Sequence, residues 1–302
     1  MRSFTSFEPA TLSFSGHETF RFRYPWLPKA VQGVLDDPDL FSREDAMVKL
    51  GVGKNMVRSM RHWCLALGLM DRHSSDGLTE LGKRLFSSDG WDPFLEDTGT
   101  LWLLHWQLVA SPERASTWHY AFTRWAPETF TREQLSAWLA EVAERAGDRT
   151  SRETIKRDVD VFVQTYVPSE PSLTVALEET FDCPMVELGL IRELDKKTYA
   201  FTRGRQPTLP DEVFVYALLR YWTVAAPERQ TLDIGRIAHG PGSPGAAFKL
   251  TPNALVERFE NLPAWAGLAY DETAGVKQIL RTGCGIADPM GALEIYYRGV
   301  RG

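Results

Sequence analysis

Cysteine is scarce: Cys64, Cys183 and Cys284 are the only three in 302 residues, far apart and without a CxxC pair. Neither a disulfide framework nor a sequence-evident zinc site follows from that spacing. Long apolar runs are missing as well, and none approaches the roughly 18 residues of a membrane span. The opening stretch MRSFTSFEPATLSFSGHETF lacks the apolar core and cleavage site of a secretory signal. These absences predict a soluble chain of a reducing compartment, the cytoplasm, with no membrane partner. An excess of positive charge is also lacking. Lys plus Arg number 34 against 40 Asp plus Glu, a net charge of -6. That argues against a protein that coats nucleic acid by bulk charge, but it leaves room for a local basic patch. GxSxG, GxGxxG, P-loop and EF-hand signatures are absent. Gly51-Val52-Gly53-Lys54-Asn55 imitates only the end of a P-loop, without its first glycine or preceding strand.

What is present is a soluble globular composition, 43% hydrophobic and 25% charged, long enough for two or three domains. Tryptophan is abundant: there are 10, and Trp26, Trp63, Trp91, Trp102, Trp106, Trp118 and Trp125 fall in the first 125 residues. They predict a well-filled helical core, with a surface for stacking nucleotide bases as the alternative.

Residues 26–67 read as three short helices. Trp26, Leu27, Ala30, Val31, Val34 and Leu35 recur at helical spacing up to the breaker Asp36-Asp37-Pro38. Ser42 before Arg43-Glu44-Asp45 predicts an N-cap with acidic first-turn residues. Gly51-Val52-Gly53 then breaks the chain, and Asn55 to Leu67 resumes with Met56, Val57, Met60, Trp63, Cys64 and Leu67 on one face. Two short helices around a glycine turn form a helix-turn-helix pattern. Leu69-Met70, the turn Ser74–Gly77 and Leu78-Thr79 add a hairpin, and Thr79 to Phe86 another helix. Helix, turn, helix, hairpin is a winged helix.

A second copy follows. Thr131 opens an amphipathic helix running to Ala146, and Thr150-Ser151 caps another that ends before Pro168. Glu187-Leu188-Gly189-Leu190-Ile191 echoes Ala66-Leu67-Gly68-Leu69-Met70, with Asp195-Lys196-Lys197 as turn and Thr198–Phe201 as return strand. A third, weaker copy takes Pro252–Asn261 as helix and the strands flanking Asp271–Gly275 as wing. The expected fold is therefore mainly α with some β (α+β), as tandem winged helix-turn-helix units with small β-hairpin wings. The expected domains are 1–128, 129–239 and 246–302, the last two separated by the Gly- and Pro-rich loop 240–245, read as too irregular to carry an element.

Four places could carry chemistry. Across Ser42–Trp63 the charges sum to +3, and Lys54, Arg58 and Arg61 share a helix face with Asn55 beside them. In a winged helix that face enters the major groove, where Arg and Asn read base edges; the alternative is an ordinary solvated face. Arg192, Lys196, Lys197, Arg203 and Arg205 on the second wing outweigh Glu193 and Asp195 by three charges, suited to phosphates. Gly16-His17-Glu18-Thr19-Phe20-Arg21-Phe22-Arg23-Tyr24 could bind a metal, move a proton or clamp a phosphate. It is not HExxH, since Arg21 stands at the second histidine position, and the alternation of Phe20, Phe22 and Tyr24 also fits a strand. Finally, Asp158 and Asp160 lie about 200° apart around a helix, so they do not make a paired site by themselves.

Gly16–Phe20, Phe41–Ala46, Leu50–Ser59, Trp63-Cys64, Trp102–Trp106, Thr154–Asp160 and Thr165–Ser169 together resemble a bacterial family of uncharacterised domains encoded beside DNA phosphorothioation genes, which includes a nicking protein of single-strand phosphorothioation systems. The resemblance covers most of the chain. It implies a nickase acting with a cysteine desulfurase, a sulfur-transfer enzyme and an ATPase, in DNA marking and phage defence. Phosphodiester hydrolysis needs activated water and charge stabilisation, usually from a divalent cation such as Mg²⁺ or Mn²⁺. The candidate catalytic residues are His17, Glu18, Asp158 and Asp160, with Glu18 and Asp158 as metal ligands. Lys54, Asn55, Arg58, Arg61, Arg21, Arg23, Lys196 and Lys197 are expected on double-stranded DNA. A homodimer is a further expectation, because duplex sites are often read by two-fold pairs. The alternative function is a non-catalytic DNA-binding or assembly subunit that recruits the sulfur-transfer enzymes.

Overall fold

The segment Thr98–Val109 is apolar on every side, and a helix of that kind has to be buried all round. In the computed structural model, which describes residues 11–169, 183–273, 275–286 and 288–301, every residue from Gly99 to Val109 is buried. Around that helix the described chain runs α1 (Trp26–Asp36), α2 (Ala46–Leu50), α3 (Lys54–Ala66), α4 (Glu80–Phe86), α5 (Thr98–Val109), α6 (Ser116–Thr123), β1 (Thr129–Thr131), α7 (Arg132–Arg145) and α8 (Arg152–Tyr166). It continues with β2 (Ile191–Asp195), β3 (Thr198–Phe201), α9 (Asp211–Ala225), β4 (Thr231–Asp233), α10 (Ile234–His239), α11 (Pro244–Ala247), α12 (Pro252–Glu260), β5 (Leu268–Thr273), β6 (Val276–Arg281) and α13 (Met290–Arg301). No helix among the described residues is long and apolar enough to cross a membrane.

Two small antiparallel sheets have the orders β1-β3-β2 and β4-β6-β5. Each is built alike: a short strand leads into helices, and the chain returns as a hairpin whose second strand pairs with the first. Phe130 pairs with Tyr199 in one sheet, and Leu232 with Ile279 in the other. Local signals place the elements well. Thr131 and Gln134 form a reciprocal capping box at α7, and Ser151 Oγ accepts the Thr154 N–H at α8. Gly68, Gly189 and Gly267 each turn the chain into the stretch before a hairpin with φ of 71°, 59° and 62°, a conformation that favours glycine.

Four expectations are corrected. Ser42 ends a 3-10 turn, and α2 starts at Ala46 without a side-chain cap, where Arg43 pairs with both Asp45 and Asp37. The first hairpin shrinks to one bridge, Met70–Leu78: Asp71 and Asp76 hold the turn by side-chain hydrogen bonds, and Thr79 already caps α4. Residues 14–24 form no strand, although Phe22 is buried and Phe20 and Tyr24 pack on the core. The loop 240–245 gives way to α11 at Pro244, capped by Ser243, and the second sheet takes β4 from before it.

The tryptophans are core. Trp26, Trp63, Trp102, Trp106, Trp118 and Trp222 are buried, and Trp91, Trp125, Trp138 and Trp265 pack against the same continuous cluster, which runs from Phe14 to Tyr297. At its centre His105 on α5 joins three parts of the chain. Its Nε2 must donate to the Ala247 carbonyl at 2.9 Å, so Nδ1 accepts from Tyr166 OH at 2.8 Å. Nearby, the buried Lys249 donates to Phe122 O at 2.6 Å and lies 4.0 Å from the Phe201 ring centre.

Burial holds His62 and His105 down to a pKa of about 3 and His119 to about 4. The unfolded chain, with ordinary histidines near 6.5, binds these protons first. Stability is therefore fully present above pH about 6.5 and declines as pH falls below it, by about 1.4 kcal/mol per pH unit for each ring. Urea unfolding between pH 7.5 and 4.5 measures this, and a flat profile would mean that the folded rings accept protons.

Candidate nucleic-acid interface

Helix α3 has two opposed faces. Val57, Met60, Trp63 and Cys64 point into the core, while Lys54, Asn55, Arg58 and Arg61 are exposed. Lys54, Asn55 and Arg61 have no ion pair or side-chain hydrogen bond among the described residues, and Arg58 Nη1 stands 4.0 Å from Glu18 Oε1. The cations of the neighbouring α2 region are engaged instead, Arg43 and Lys49 both with Asp37 and Asp45. The local positive charge is thus concentrated on one side of α3. Lys196 and Lys197 lie exposed at the β2–β3 turn, where Asp195 Oδ1 accepts the N–H of Lys197 and of Thr198, each at 3.0 Å.

The segment before α1 straps across the molecule. Ser13 and Ser116 exchange hydrogen bonds, with Ser13 N–H donating to Ser116 Oγ at 2.7 Å and Ser116 N–H to Ser13 O at 3.0 Å. Arg21 donates to Gln164 and to Ser169, Arg23 stacks over Trp26, and Tyr24 OH donates to Glu187. Arg21 and Arg23 therefore serve intramolecular contacts rather than standing free like those on α3.

His17 and Asp158 come together inside this strap. His17 Nε2 lies 2.6 Å from Asp158 Oδ1, with side chains 4% and 2% exposed. The Thr19 backbone N–H donates to His17 Nδ1 at 3.1 Å, so Nδ1 is the acceptor and Nε2 carries the proton to the carboxylate. The ring stacks on Trp63 and meets Trp118 edge-on, and Trp63 Nε1–H donates to Phe20 O at 2.9 Å. Gly16, at φ 111°, is required here, because a Cβ would collide with His62 Nδ1. Glu18 and Thr19 hold left-handed backbone at φ 49° and 66°.

The four candidate catalytic residues do not form one group. Asp160 sits on the other side of α8, partly exposed, 3.4 Å from Arg132 Nε. Burial raises its pKa while Arg132 and Lys156 oppose that rise. Glu18 and Asp158 do not share a site either: the Glu18 carboxylate, 35% exposed, faces Arg58, whereas Asp158 is closed in by His17. No group of three or more His, Cys, Asp or Glu side chains among the described residues is placed to hold a metal ion. Magnesium commonly takes only one or two protein carboxylates and completes its shell from water and substrate phosphate. Of the two candidate ligands, Glu18 is the solvent-accessible carboxylate, while Asp158 Oδ2 is buried without a hydrogen-bond partner among the described residues. The contacts with Trp63, Trp118 and Ser116 were not legible in the sequence, since they join positions far apart in the chain.

The sequence model of the family described as "Protein of unknown function (DUF4007)" matches residues 14–297. The chain is similar to the solved "SspB crystal structure", at 31% identity and a TM-score of 0.85, over 98% of this chain and 91% of that one. It is also similar to the "Magnesium ion-bound SspB crystal structure", at 32% identity and a TM-score of 0.81, over 96% and 89% of the two chains. No curated protein matches the sequence.

If the His17–Asp158 contact holds the strap, Asp158→Ala leaves a buried ring N–H without an acceptor. Urea denaturation is expected to show a loss of about 1–3 kcal/mol, and an unchanged midpoint would rule out this structural role.

Proposed function

The chain belongs to the DUF4007 family, and on that footing we propose that it is a DNA-nicking protein of a DNA phosphorothioation system. In this reading tandem winged-helix units bind double-stranded DNA. One unit ends near residue 128, a second continues to about 239, and a third takes 246–302, its hairpin pairing with β4 of the preceding stretch. The observation that carries the proposal is the α3 face: Lys54, Asn55 and Arg61 point to solvent without partners in a chain whose net charge is -6. A free cationic helix face beside a glycine turn suits the major groove, with Arg58 and Arg61 on base edges or phosphates. Lys196 and Lys197 at the β2–β3 turn are placed to meet the backbone.

The chemistry of strand cleavage falls to the strap. Glu18 is the carboxylate that solvent ions and a phosphate on α3 can reach, and it is the proposed ligand for Mg²⁺ or Mn²⁺. Bound there, a divalent ion supplies charge stabilisation at a phosphate oxygen. His17 has no free ring nitrogen, because Nδ1 accepts from Thr19 and Nε2–H is held by Asp158. His17 and Asp158 are thus positioning residues that fix the backbone carrying Glu18. Asp160, turned away beside Arg132, takes no part. The partners of the proposal are a cysteine desulfurase, a sulfur-transfer enzyme and an ATPase.

The lack of a ready-made cluster of metal ligands among the described residues favours a second reading, a DNA-binding or assembly subunit that recruits those enzymes. Incubation with supercoiled plasmid separates the two. Open-circular product is expected with Mg²⁺ or Mn²⁺ and not with chelator, and Glu18→Ala is expected to slow its formation on the order of a hundredfold. No product under either metal would falsify the nickase reading and leave the subunit.

Both readings require the α3 face. Arg58→Ala and Arg61→Ala are each expected to weaken duplex binding and to reduce the dependence of log K on log salt by about 0.9. Anisotropy titrations at several NaCl concentrations test this. Identical curves for both variants and the parent chain would remove α3 from the interface.

A further inference from the structure

On the flank of α3, where the chain leaves the helix for the Met70–Leu78 turn, lies a cavity of about 370 Å³. Ser13, His62, Arg72, His73 and Arg114 line it, together with the carboxylates Asp71 and Glu113. Arg114 is half-buried between the end of α5 and the start of α6. Its Nη1 packs so closely on Gly68 that a Cβ there would stand 2.9 Å away. Its guanidinium has no hydrogen bond or ion pair among the described residues; only its backbone N–H is bonded, to Ser111 O. A partly buried cation without a partner is costly, and an anion relieves that cost.

The two carboxylates do not take that place. Asp71 Oδ1 accepts the His73 N–H at 2.9 Å, and Glu113 Oε1 accepts from Ser111 Oγ at 3.1 Å. Neither comes within ion-pair distance of Arg114 or Arg72. The lining therefore offers two unpaired guanidiniums, the imidazoles of His62 and His73 and the Ser13 hydroxyl around a volume that admits a phosphate group. His62 lies four residues after Arg58 on α3, so this lining residue shares the side of the helix that carries Arg58.

We propose that this cavity is a phosphate-binding site in which Arg114 and Arg72 grip a phosphate oxyanion, with the hydroxyl of Ser13 and the ring of His73 as further donors. The site rests on the DNA reading only for the source of the phosphate: a backbone phosphate of a duplex lying on α3, or a free phosphate or nucleotide. In either case the planar guanidinium of Arg114 matches two phosphate oxygens at once.

The test uses the full chain, inorganic phosphate and a short duplex. Calorimetric titration is expected to show phosphate binding that weakens about tenfold or more in Arg114→Gln and in Arg72→Gln, and less in Arg114→Lys, which keeps the charge. Arg72 is exposed, so Arg72→Gln decides the matter if Arg114→Gln fails to fold. A duplex salt slope lowered by about 0.9 in the Arg→Gln variants assigns the site to backbone phosphate. An unchanged slope with phosphate binding lost assigns it to a free phosphate ligand. Should the parent chain bind phosphate through these arginines but no duplex at any salt, the DNA reading fails and the site stands. Phosphate that does not bind, or binds equally to the parent and both Gln variants, overturns the site.

Discussion

The hydrogen bonds of His105 hold the centre of the molecule together. The ring sits on the most apolar helix of the chain and reaches Tyr166 at the end of α8 and Ala247 at the end of α11. Because the Ala247 carbonyl can only accept, the tautomer is fixed, and both ring nitrogens are satisfied without a charge. Three stretches distant in sequence are thereby brought to one point. The rings of Phe122, Tyr166, Phe248 and Trp102 close around it, so the polar contact is made in a region from which water is excluded. A buried histidine of this kind gives direction to a core that dispersion alone would leave free to slide.

The His17–Asp158 contact does for the surface what His105 does for the centre. It fastens the segment before α1 to α8, and the same segment carries Glu18 to the edge of α3 and leaves Gly16 against His62. The placement of Glu18 beside Arg58 of α3 therefore depends on a contact between residues 141 positions apart. An acidic chain thus keeps an exposed basic face: cations such as Arg43 and Lys49 are tied to nearby carboxylates, and those on α3 are left over.

Much of the architecture could be read from local signals. The caps at Thr131 and Ser151, the glycines at 68 and 189 and the apolar spacing of α1 and α3 appear in the sequence as they do in the fold. The first hairpin misled because Asp71 and Asp76 look like turn residues of a ladder, whereas their side chains take over the hydrogen bonds that a ladder would make. Ser42 misled because it ends a 3-10 turn, and α2 starts only at Ala46. Asp158 and Asp160 were correctly placed on opposite sides of a helix by geometry alone. Their partners, His17 and Arg132, could not be found that way, since tertiary contacts leave no periodic trace. Arg114 gave no signal for the same reason: its isolation is a property of the folded surroundings.

The single core from Phe14 to Tyr297 has a mechanical consequence. Units that share one packed interior do not swing independently, so the spacing between α3 and the β2–β3 turn is set by the protein. A duplex that touches both has to supply the curvature itself. The energy of that bending depends on the stiffness of the base steps between the two contacts. If DNA is the ligand, as proposed above, such a scaffold would respond to how readily a stretch of duplex deforms, including at base pairs it does not touch.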